Sequence, residues 1–532
     1  ISGTVYGISL QGDTGEVINR NGGSIVGDVM VWEGGSVTNT GAGSQITGGI
    51  SVLGDGGTLT NSDGAKVIGT GRVVHIRGGG TLINSGEGST LDGRTAVHIE
   101  GGGVVENGAG AIIRGVSDGI YGDASTRVTN NGTIEVTDGD GVNVAGGTVT
   151  SAGADASITA SGTGIALSEA GEVTNRDGAT ISSRGDGIAL ALGGTVTNSG
   201  AGTSIEADGT GIYLGDVGEV TNGDGASIVA AADGIVLYWG GDVTNSGGAT
   251  IHSSRVGVVI WDYGTLRNSG AGSTIRTVGG GVGVDLMIPV DTDSLAVINE
   301  DGAVIDGGYA GLRFSATGKV TNSGTDSLIA ADSYAIFYEY DAGDVTNQDG
   351  ARIVSRDGSG VALYFGGDVS NSSGAQIDAE VVGIYSLGAP ASVTNTGTDS
   401  RIRGKAQGIY LNGENGGAGI VVNSDGATIA GGGDADGGMG VWIVGDGTVT
   451  NDGATITGDR APGVFIRDDG TITNTNGGSI GGSQAAHIGG DGNVANTAGS
   501  RMGDLHVGGD AEISNDASTL GSVTVDGSAV IR

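Results

Sequence analysis

Four of the five histidines in this chain occur as two pairs, and imidazole can bind metal or change charge near neutral pH. His75 and His98 form one pair, and His487 and His506 form the other. Two imidazoles one repeat apart could share a metal ion, or repel each other when protonated. Two ligands make a weak metal site, and the sequence shows no third ligand. We therefore interpret these histidines as solvated repeat positions and predict no metal site.

Aromatic side chains are concentrated in one part of the sequence, since 17 of the 20 lie between Tyr213 and Phe465. Most occupy or follow the variable position x of a recurring G-I-x-L pattern, which the paired histidines also occupy. Rows of rings can stack on sugars, pack against a partner or join two chains. The alternative is a structural role, in which the rings stack on one another between repeats. We weigh the two interpretations equally. The predicted binding residues are Tyr213, Tyr238, Trp239, Trp261, Tyr263, Phe337, Tyr385, Tyr410, Trp442 and Phe465.

The acidic residues form no evident catalytic cluster. Glycoside hydrolysis needs two carboxylates at a set separation, whereas the aspartates here are spread over Asp-Gly turns. The sequence also contains no P-loop, G-x-S-x-G or H-E-x-x-H motif. We therefore predict no catalytic residues and no enzyme activity. The alternative is a polysaccharide-degrading β-helix, a lyase or tailspike-like depolymerase, with acids near Asp262 or Asp341.

A repeat must position these residues, and an asparagine that ends a V-x-N triplet defines it. The triplet recurs along the whole chain, mostly at spacings of 22 to 25 residues, and Ser151 replaces the asparagine once. A residue needed in every repeat indicates architecture more than chemistry. We predict a ladder of stacked amides, each donating a hydrogen bond to the next. Its representative members are Asn175, Asn198, Asn222, Asn245 and Asn268.

Each repeat has three short apolar segments separated by Gly-rich or Asp-Gly turns, as in residues 171–193. Short alternating segments rich in Val and Ile favour strands, and glycine allows the bends between them. Three strands in roughly 23 residues predict one coil of a right-handed parallel β-helix. About 22 coils, stacked about 4.8 Å apart, would form one all-β solenoid domain over residues 1–532, a rod on the order of 100 Å long.

Three segments depart from the repeat: residues 287–294, 412–419 and 431–438. Insertions in a solenoid lie in surface loops, which are frequent binding sites. We predict surface loops at these places. Loops without a function are the simpler interpretation, and binding loops are the alternative.

Composition limits the partners. A formal net charge of −37 repels phosphate backbones, so we predict no nucleic-acid partner. The chain has no cysteine, which excludes disulfides and thiolate metal sites and suits an exported protein. We predict no cofactor, although the acidic surface could hold Ca²⁺ loosely. No apolar run approaches the roughly 20 residues that span a bilayer, and no signal peptide is visible. We expect an excised piece of a larger precursor, attached to a membrane only through a segment outside this sequence.

The chain resembles the β-helical passenger domains of Gram-negative autotransporter adhesins. The resemblance lies in the repeated V-T-N-S-G pattern, the Gly and Asp-Gly turns and the absence of cysteine. The resemblance covers essentially the whole chain. It implies a secreted, non-enzymatic solenoid at the outer cell surface that acts as an adhesin or as a self-associating surface or biofilm-matrix filament. The implied partners are copies of the same chain, cell-surface glycans or a host surface, bound by many weak contacts along a rigid rod.

Overall fold

The computed structural model describes residues 1–12, 15–123, 126–287, 295–387, 391–413, 417–433 and 437–532. The centres of the three predicted surface loops, residues 288–294, 414–416 and 434–436, lie outside the described residues. The chain forms two compact units. Unit 1 comprises Ile1–Ser254 and Val258–Ile260, and unit 2 comprises Arg255–Gly257 and Trp261–Arg532.

The described residues form strands and turns without a helix, arranged as a β-solenoid of about 21 turns of about 23 residues. The prediction of a parallel solenoid with three strands per coil is confirmed. The coil at residues 171–190 is representative. Its first strand is Gly171–Arg176, its second is Thr180–Ser183 and its third is Ile188–Leu190.

Strands of the same kind occupy the same position in every coil. The first strands are Glu16–Arg20, Ser36–Thr40, Thr58–Ser62, Thr81–Ser85, Gly103–Asn107, Thr126–Asn130, Gly147–Ala152, Gly171–Arg176, Gly194–Ser199, Gly218–Gly223, Gly241–Ser246, Gly264–Ser269, Leu295–Glu300, Gly318–Ser323, Gly343–Gln348, Gly367–Ser372, Ala391–Thr396, Gly419–Ser424, Gly447–Asp452, Gly470–Thr475, Gly492–Thr497, Ala511–Asp516 and Ala529–Ile531. The second strands are Gln45–Thr47, Lys66–Ile68, Thr133–Val136, Ser157–Ala160, Thr180–Ser183, Ser204–Ala207, Ser227–Ala230, Thr250–Ser253, Thr274–Thr277, Val304–Gly307, Leu328–Ala331, Arg352–Ser355, Gln376–Ala379, Arg401–Gly404, Thr428–Gly431, Thr455–Gly458, Ser479–Gly481, Arg501–Met502 and Thr519–Leu520. The third strands are Ile50–Leu53, Arg72–Arg77, Asp140–Val144, Ile165–Leu167, Ile188–Leu190, Ile212–Leu214, Ile235–Leu237, Val256–Trp261, Val282–Met287, Ala310–Phe314, Tyr334–Tyr338, Ser359–Leu363, Val382–Leu387, Gln407–Asn412, Met439–Val444, Val464–Ile466, Ala486–Ile488, Leu505–Val507 and Val523–Val525. Four long strands combine the second and third: Ser2–Leu10, Ser24–Trp32, Thr90–Glu100 and Ile112–Gly122.

Within each unit, the strands pair in parallel with the matching strands of the neighbouring coils. Val173, for example, lies opposite Val149 on one side and Val196 on the other. The in-register pairing places identical or similar residues above one another, and these apolar side chains fill the interior. Val173, Ile181 and Ile188 of the representative coil have no exposed surface. Stacking therefore provides the burial that a single coil cannot achieve.

The asparagines of the V-x-N triplets point inward and form a chain of amides in each unit. The Nδ2 group of Asn175 donates to Oδ1 of Asn198 at 2.9 Å, and Asn198 donates in the same way to Asn222 at 2.8 Å. Asn175 Nδ2 also contacts the carbonyl oxygens of Ala179 and Ser204, at 3.2 and 3.1 Å. Each buried amide thus ties the turn of its own coil to the next coil. In unit 2 the same pattern includes Asn268, which donates to Asn299 at 2.8 Å.

Ser151 interrupts this ladder in unit 1. Asn130 Nδ2 reaches the Ser151 hydroxyl at only 3.4 Å. The buried Oδ1 of Asn175, on the other side, has no hydrogen-bond partner. The serine side chain is too short to bridge the two amides, so one buried acceptor is left unpaired. Such an atom costs about 1–3 kcal/mol of stability.

The glycine of the G-I-x-L pattern is required by the close approach of adjacent coils. A Cβ atom on Gly187 would lie 2.4 Å from the Gly211 carbonyl oxygen and 2.4 Å from Ile205 Cγ2. No side chain fits at that distance, so this glycine fixes where the third strand can begin.

We expect the substitution Ser151→Asn to stabilise the protein by about 1 kcal/mol, because it gives the Asn175 acceptor a donor and restores the ladder. Thermal unfolding followed by circular dichroism should show a higher Tm than for the wild type. Ser151→Ala, which provides no donor, is the control and should show no increase. A Tm for the asparagine variant at or below that of the alanine variant would contradict the ladder as a source of stability.

The opposite change tests an intact part of the ladder in unit 2. Asn347 accepts from Asn322 and donates to Asn371, in both cases at 2.8 Å. Asn347→Ala should lower stability by about 1–3 kcal/mol because it leaves buried groups unpaired. Thr346→Ala, on the half-exposed side of the same strand, should have little effect on the Tm.

Candidate functional site

Position x of the third strands forms a column, because the third strands of successive coils pair in register. In unit 1 the column contains the neighbours His75, His98 and Tyr121. In unit 2 it continues through successive coils from Asp285 to His506. The structure therefore brings the aromatic and histidine positions of neighbouring repeats next to one another.

Five rings of unit 2 follow one another in this column: Tyr385, Tyr410, Trp442, Phe465 and His487. Their successive ring centroids are 5.3, 5.0, 6.1 and 4.8 Å apart. Aromatic pairs at such distances contribute about 0.5–1.5 kcal/mol each beyond the burial of their area. All five rings are half-buried. They connect the coils and leave only part of each ring open to a partner.

Two more of the predicted rings on third strands, Phe337 and Tyr213, lie in different surroundings. Phe337 is only 4% exposed, and its ring lies 4.9 Å from Tyr334 and 4.9 Å from Tyr364. Tyr213 is half-buried, and its paired neighbours in the column are Ala189 and Val236. Phe337 therefore acts mainly as a packing residue, and Tyr213 lies between aliphatic neighbours.

The most exposed of the predicted aromatic residues lie at the last position of a third strand or in the turn that follows it. Trp239 is 51% exposed, and Tyr238, Trp261 and Tyr263 are also exposed. The rings of Tyr238 and Trp239 meet edge to face at 5.7 Å. We call these four residues, with Tyr340 and Phe365, the turn aromatics.

Phe365 and Tyr340 were not among the predicted binding residues, although they are 50% and 63% exposed. A sequence signal for Phe365 is available, since L-Y-F-G-G repeats the L-Y-W-G-G pattern that contains Trp239. Leu192 occupies the same position in another coil and is also exposed. This turn position thus presents apolar side chains to solvent repeatedly.

The two acids considered for the depolymerase alternative lie beside turn aromatics. Asp262 stands between Trp261 and Tyr263 with a φ of 86°, and its N–H donates to the Met287 carbonyl oxygen at 2.9 Å. Asp341 follows Tyr340, and its Oδ1 accepts a hydrogen bond from the Ala342 N–H at 2.8 Å. Both places combine an apolar ring with a carboxylate acceptor.

A second group of polar side chains lies on third strands of unit 1. Nε2 of His75 lies 3.2 Å from Glu100 Oε1, and Nε2 of His98 lies 3.3 Å from the same oxygen. The other carboxylate oxygen, Oε2, accepts a hydrogen bond from Arg77 Nε at 2.7 Å. The two imidazole rings are 4.9 Å apart. His75, His98 and Glu100 are hereafter the His–Glu cluster.

Glu100 is the third polar group that the sequence analysis did not find. It lies two residues after His98 on the strand Thr90–Glu100, so both side chains project from the same face of that strand. Pairing with Arg72–Arg77 then places His75 opposite His98, and Arg77 opposite Glu100. The i, i+2 spacing was visible in the sequence, but it becomes meaningful only with the register of the next coil.

Burial and neighbouring charges define the electrostatics of this group. Burial lowers the pKa of His98 to about 4, with Arg72 and His75 acting in the same direction. Burial also lowers the pKa of His75. Burial by itself would raise the pKa of Glu100, but the hydrogen bond from Arg77 and the nearby charges lower it overall. At neutral pH two uncharged imidazoles therefore face one charged carboxylate.

A cleft of about 440 Å³ adjoins the His–Glu cluster and is lined by side chains from neighbouring coils. Besides His98 and Glu100, it contains Arg72, Asp118 and Asp123. Burial raises the pKa of Asp118, and the carboxylate of Asp140 raises it further. The cleft thus combines a carboxyl group of raised pKa with a cation and an imidazole.

The second histidine pair forms a short chain of polar contacts in unit 2. Nδ1 of His487 lies 3.0 Å from Nδ1 of His506, and Nε2 of His506 lies 3.2 Å from Asp526 Oδ2. Burial lowers the pKa of His487, followed in effect by His506, while Asp526 acts in the opposite direction. The two histidines of this pair therefore contact each other through their Nδ1 atoms.

Comparison of the chain with protein-family models, with curated proteins and with solved structures gave no match. Within the described residues, no helix could span a membrane.

The lowered pKa of His487 predicts that acid destabilises the folded protein. Since the folded state holds this imidazole neutral below its ordinary pKa of about 6.5, the unfolded chain binds more protons as the pH falls below that value. Stability is therefore full above pH 6.5 and declines as the pH falls toward the folded-state pKa. We expect the Tm at pH 5.5 to be below that at pH 7.5.

His487→Gln removes this titration and should make the difference in Tm between the two pH values smaller. His252→Gln, a change to a half-buried histidine on the strand Thr250–Ser253, serves as the control. An equal acid response in the wild type and in His487→Gln would show that His487 does not contribute.

Proposed function

We propose that the protein is a non-enzymatic adhesin, a β-solenoid that binds an extended partner at the cell surface through many weak contacts. The observation that carries the proposal is the repeated exposure of apolar rings at one turn position, as at Trp239 and Phe365. Isolated exposed rings need no explanation, but rings repeated at one position of a solenoid point to a binding function. Many such contacts together give avidity without any strong single site.

The partner that best fits the turn aromatics is a neutral polysaccharide. The face of an aromatic ring stacks on the apolar face of a sugar, and an adjacent carboxylate accepts hydrogen bonds from its hydroxyl groups. Residues 261–263 provide both kinds of contact, because Asp262 lies between Trp261 and Tyr263. The net charge of −37 disfavours acidic glycans, nucleic acids and a second copy of the chain.

Secretion, an outer-surface location and autotransporter passage are part of the same proposal. They rest on the resemblance to passenger domains and on the cysteine-free, acidic composition. Self-association into a surface or biofilm-matrix filament would need divalent cations to screen the repulsion between chains, and clumping that depends on Ca²⁺ would indicate it. Binding to a neutral glycan would be independent of Ca²⁺.

The triple variant Trp239→Ser, Tyr263→Ser and Phe365→Ser tests the proposed contact residues. If each of the three rings contributes about 1 kcal/mol, the variant should bind an insoluble neutral polysaccharide about 100-fold more weakly in a co-sedimentation assay. Leu192→Ser changes an exposed residue at the same turn position without removing a ring, and it should leave binding unchanged. Wild-type affinity in the triple variant would rule out the turn aromatics as contact residues.

A polysaccharide-degrading activity is the second candidate, and the cleft in unit 1 favours it. Asp118, with its raised pKa, could act as a general acid there beside His98 and Arg72. Under the adhesin proposal, acidic and neutral polysaccharides incubated with the protein release no oligosaccharides. Release that is lost in Asp118→Asn and retained in Asp262→Asn would instead establish the enzyme and locate its site.

A further inference from the structure

Two imidazole nitrogens and one carboxylate oxygen converge between two adjacent coils of unit 1. They belong to the His–Glu cluster, in which all ligand atoms lie within 4.8 Å of one another. We propose that His75, His98 and Glu100 bind one divalent transition-metal ion of the Zn²⁺ type. This proposal does not depend on the adhesin function.

The distances suit that coordination. Zinc bonds to histidine nitrogen and carboxylate oxygen are about 2.0–2.2 Å long. Two ligand atoms at that distance from a tetrahedral centre are therefore about 3.4 Å apart. The distances from Glu100 Oε1 to His75 Nε2 and to His98 Nε2 are 3.2 and 3.3 Å. These two distances thus approximate two edges of a coordination tetrahedron.

One atom of the half-buried His75 side chain provides an independent observation. The Nε2 atom is inaccessible to solvent and has no hydrogen bond of acceptable geometry, although Glu100 Oε1 is close. A buried polar nitrogen normally has a hydrogen-bond partner. Directed at a carboxylate oxygen without bonding to it, this nitrogen has the arrangement of a metal ligand. The side chain of His98 is only 7% exposed and approaches the same oxygen.

Arg77 orients the carboxylate for this role. It holds Oε2 of Glu100 by a hydrogen bond of 2.7 Å and leaves Oε1 to face the two imidazoles. Outer contacts of this kind commonly fix the ligands of metal sites. The register of the two strands fixes the remaining geometry, because His75 and His98 lie directly opposite each other.

The donor set selects the kind of ion. Two imidazoles and a carboxylate suit Zn²⁺ and related transition metals, whereas Ca²⁺ takes six to eight oxygen ligands. The loose Ca²⁺ binding expected of an acidic surface would therefore be a separate property. The other histidine pair lacks this arrangement, since His487 and His506 direct Nδ1 atoms at each other and only His506 contacts a carboxylate.

A metal ion at this place would join two coils of the solenoid. Its ligands come from the strands Arg72–Arg77 and Thr90–Glu100, so binding should raise the stability of unit 1. Three protein ligands leave a fourth position for water or another ligand, as in catalytic zinc sites. The cleft with Arg72, Asp118 and Asp123 adjoins the cluster.

Calorimetric titration of the full chain with Zn²⁺ at pH 7.5 tests the proposal, with excess Ca²⁺ and Mg²⁺ present to occupy exposed acids. We expect one tight site per chain. Glu100→Gln keeps the shape of the side chain but removes its charge, and His75→Gln with His98→Gln removes both imidazoles. Each variant should lose affinity by more than about 100-fold, since even an outer-shell partner of a metal site commonly costs 10–100-fold.

The double variant His487→Gln and His506→Gln is the matched control and should keep the tight site. Wild-type protein without such a site, or unchanged affinity in Glu100→Gln and in the His75/His98 variant, would overturn the proposal. Loss of the site in the matched control would overturn it as well.

A measurement on the wild type alone covers the case in which a variant does not fold. Stoichiometric Zn²⁺ should shift the ring ¹⁵N resonances of His75 and His98 and leave those of His487 and His506 in place. It should also raise the Tm. Unchanged resonances of His75 and His98 would contradict the site whatever the variants do.

Discussion

The structure depends on the in-register parallel stacking of coils, and the buried asparagine ladder is the interaction that specifies it. An amide in the interior must find partners for its donor and acceptor groups, and the amide one coil away is placed to bond it. In Asn198 the acceptor meets Asn175 and the donor meets Asn222. A slip of one residue would exchange the inward and outward faces of the strand and leave these groups unpaired. The register is therefore set by the hydrogen bonding of the buried amides as well as by the packing of the Val and Ile side chains.

Fixed register turns every strand position into a column, and this determines what the surface can do. Similar residues at position x stand about 4.8 Å apart in successive coils, so rings at that position contact one another. The column from Tyr385 to His487 is the result, and its rings are used largely to hold coils together. The same rule produces the histidine pairs. Both imidazoles of one pair face a single carboxylate, whereas the imidazoles of the other pair contact each other and only His506 contacts a carboxylate.

Residues beyond the strand ends are not stacked in this way, and their side chains are more exposed to solvent. Trp239 and Phe365 leave the sheet at the same turn and present half of their surface to solvent. Asp262 lies in one of these turns at a positive φ, which a short polar side chain tolerates. Rings and carboxylates thus occur together on an otherwise acidic surface, which is the chemistry that an adhesin for neutral glycans requires.

The sequence by itself determined the repeat, the three strands per coil, the asparagine ladder and the alignment of position x, because periodicity and alternation report directly on strand faces. It could not separate Phe337, which is covered, from Trp239, which is exposed, because exposure depends on neighbours in other coils and not on residue type. It also left Glu100 out of the histidine group, although the residue lies two positions from His98. Only the tertiary structure decided these points, since pairing between coils places Arg77 against Glu100 and His75 against His98. The unpaired acceptor of Asn175 beside Ser151 was decided in the same way, by the length of a side chain across the gap between two coils.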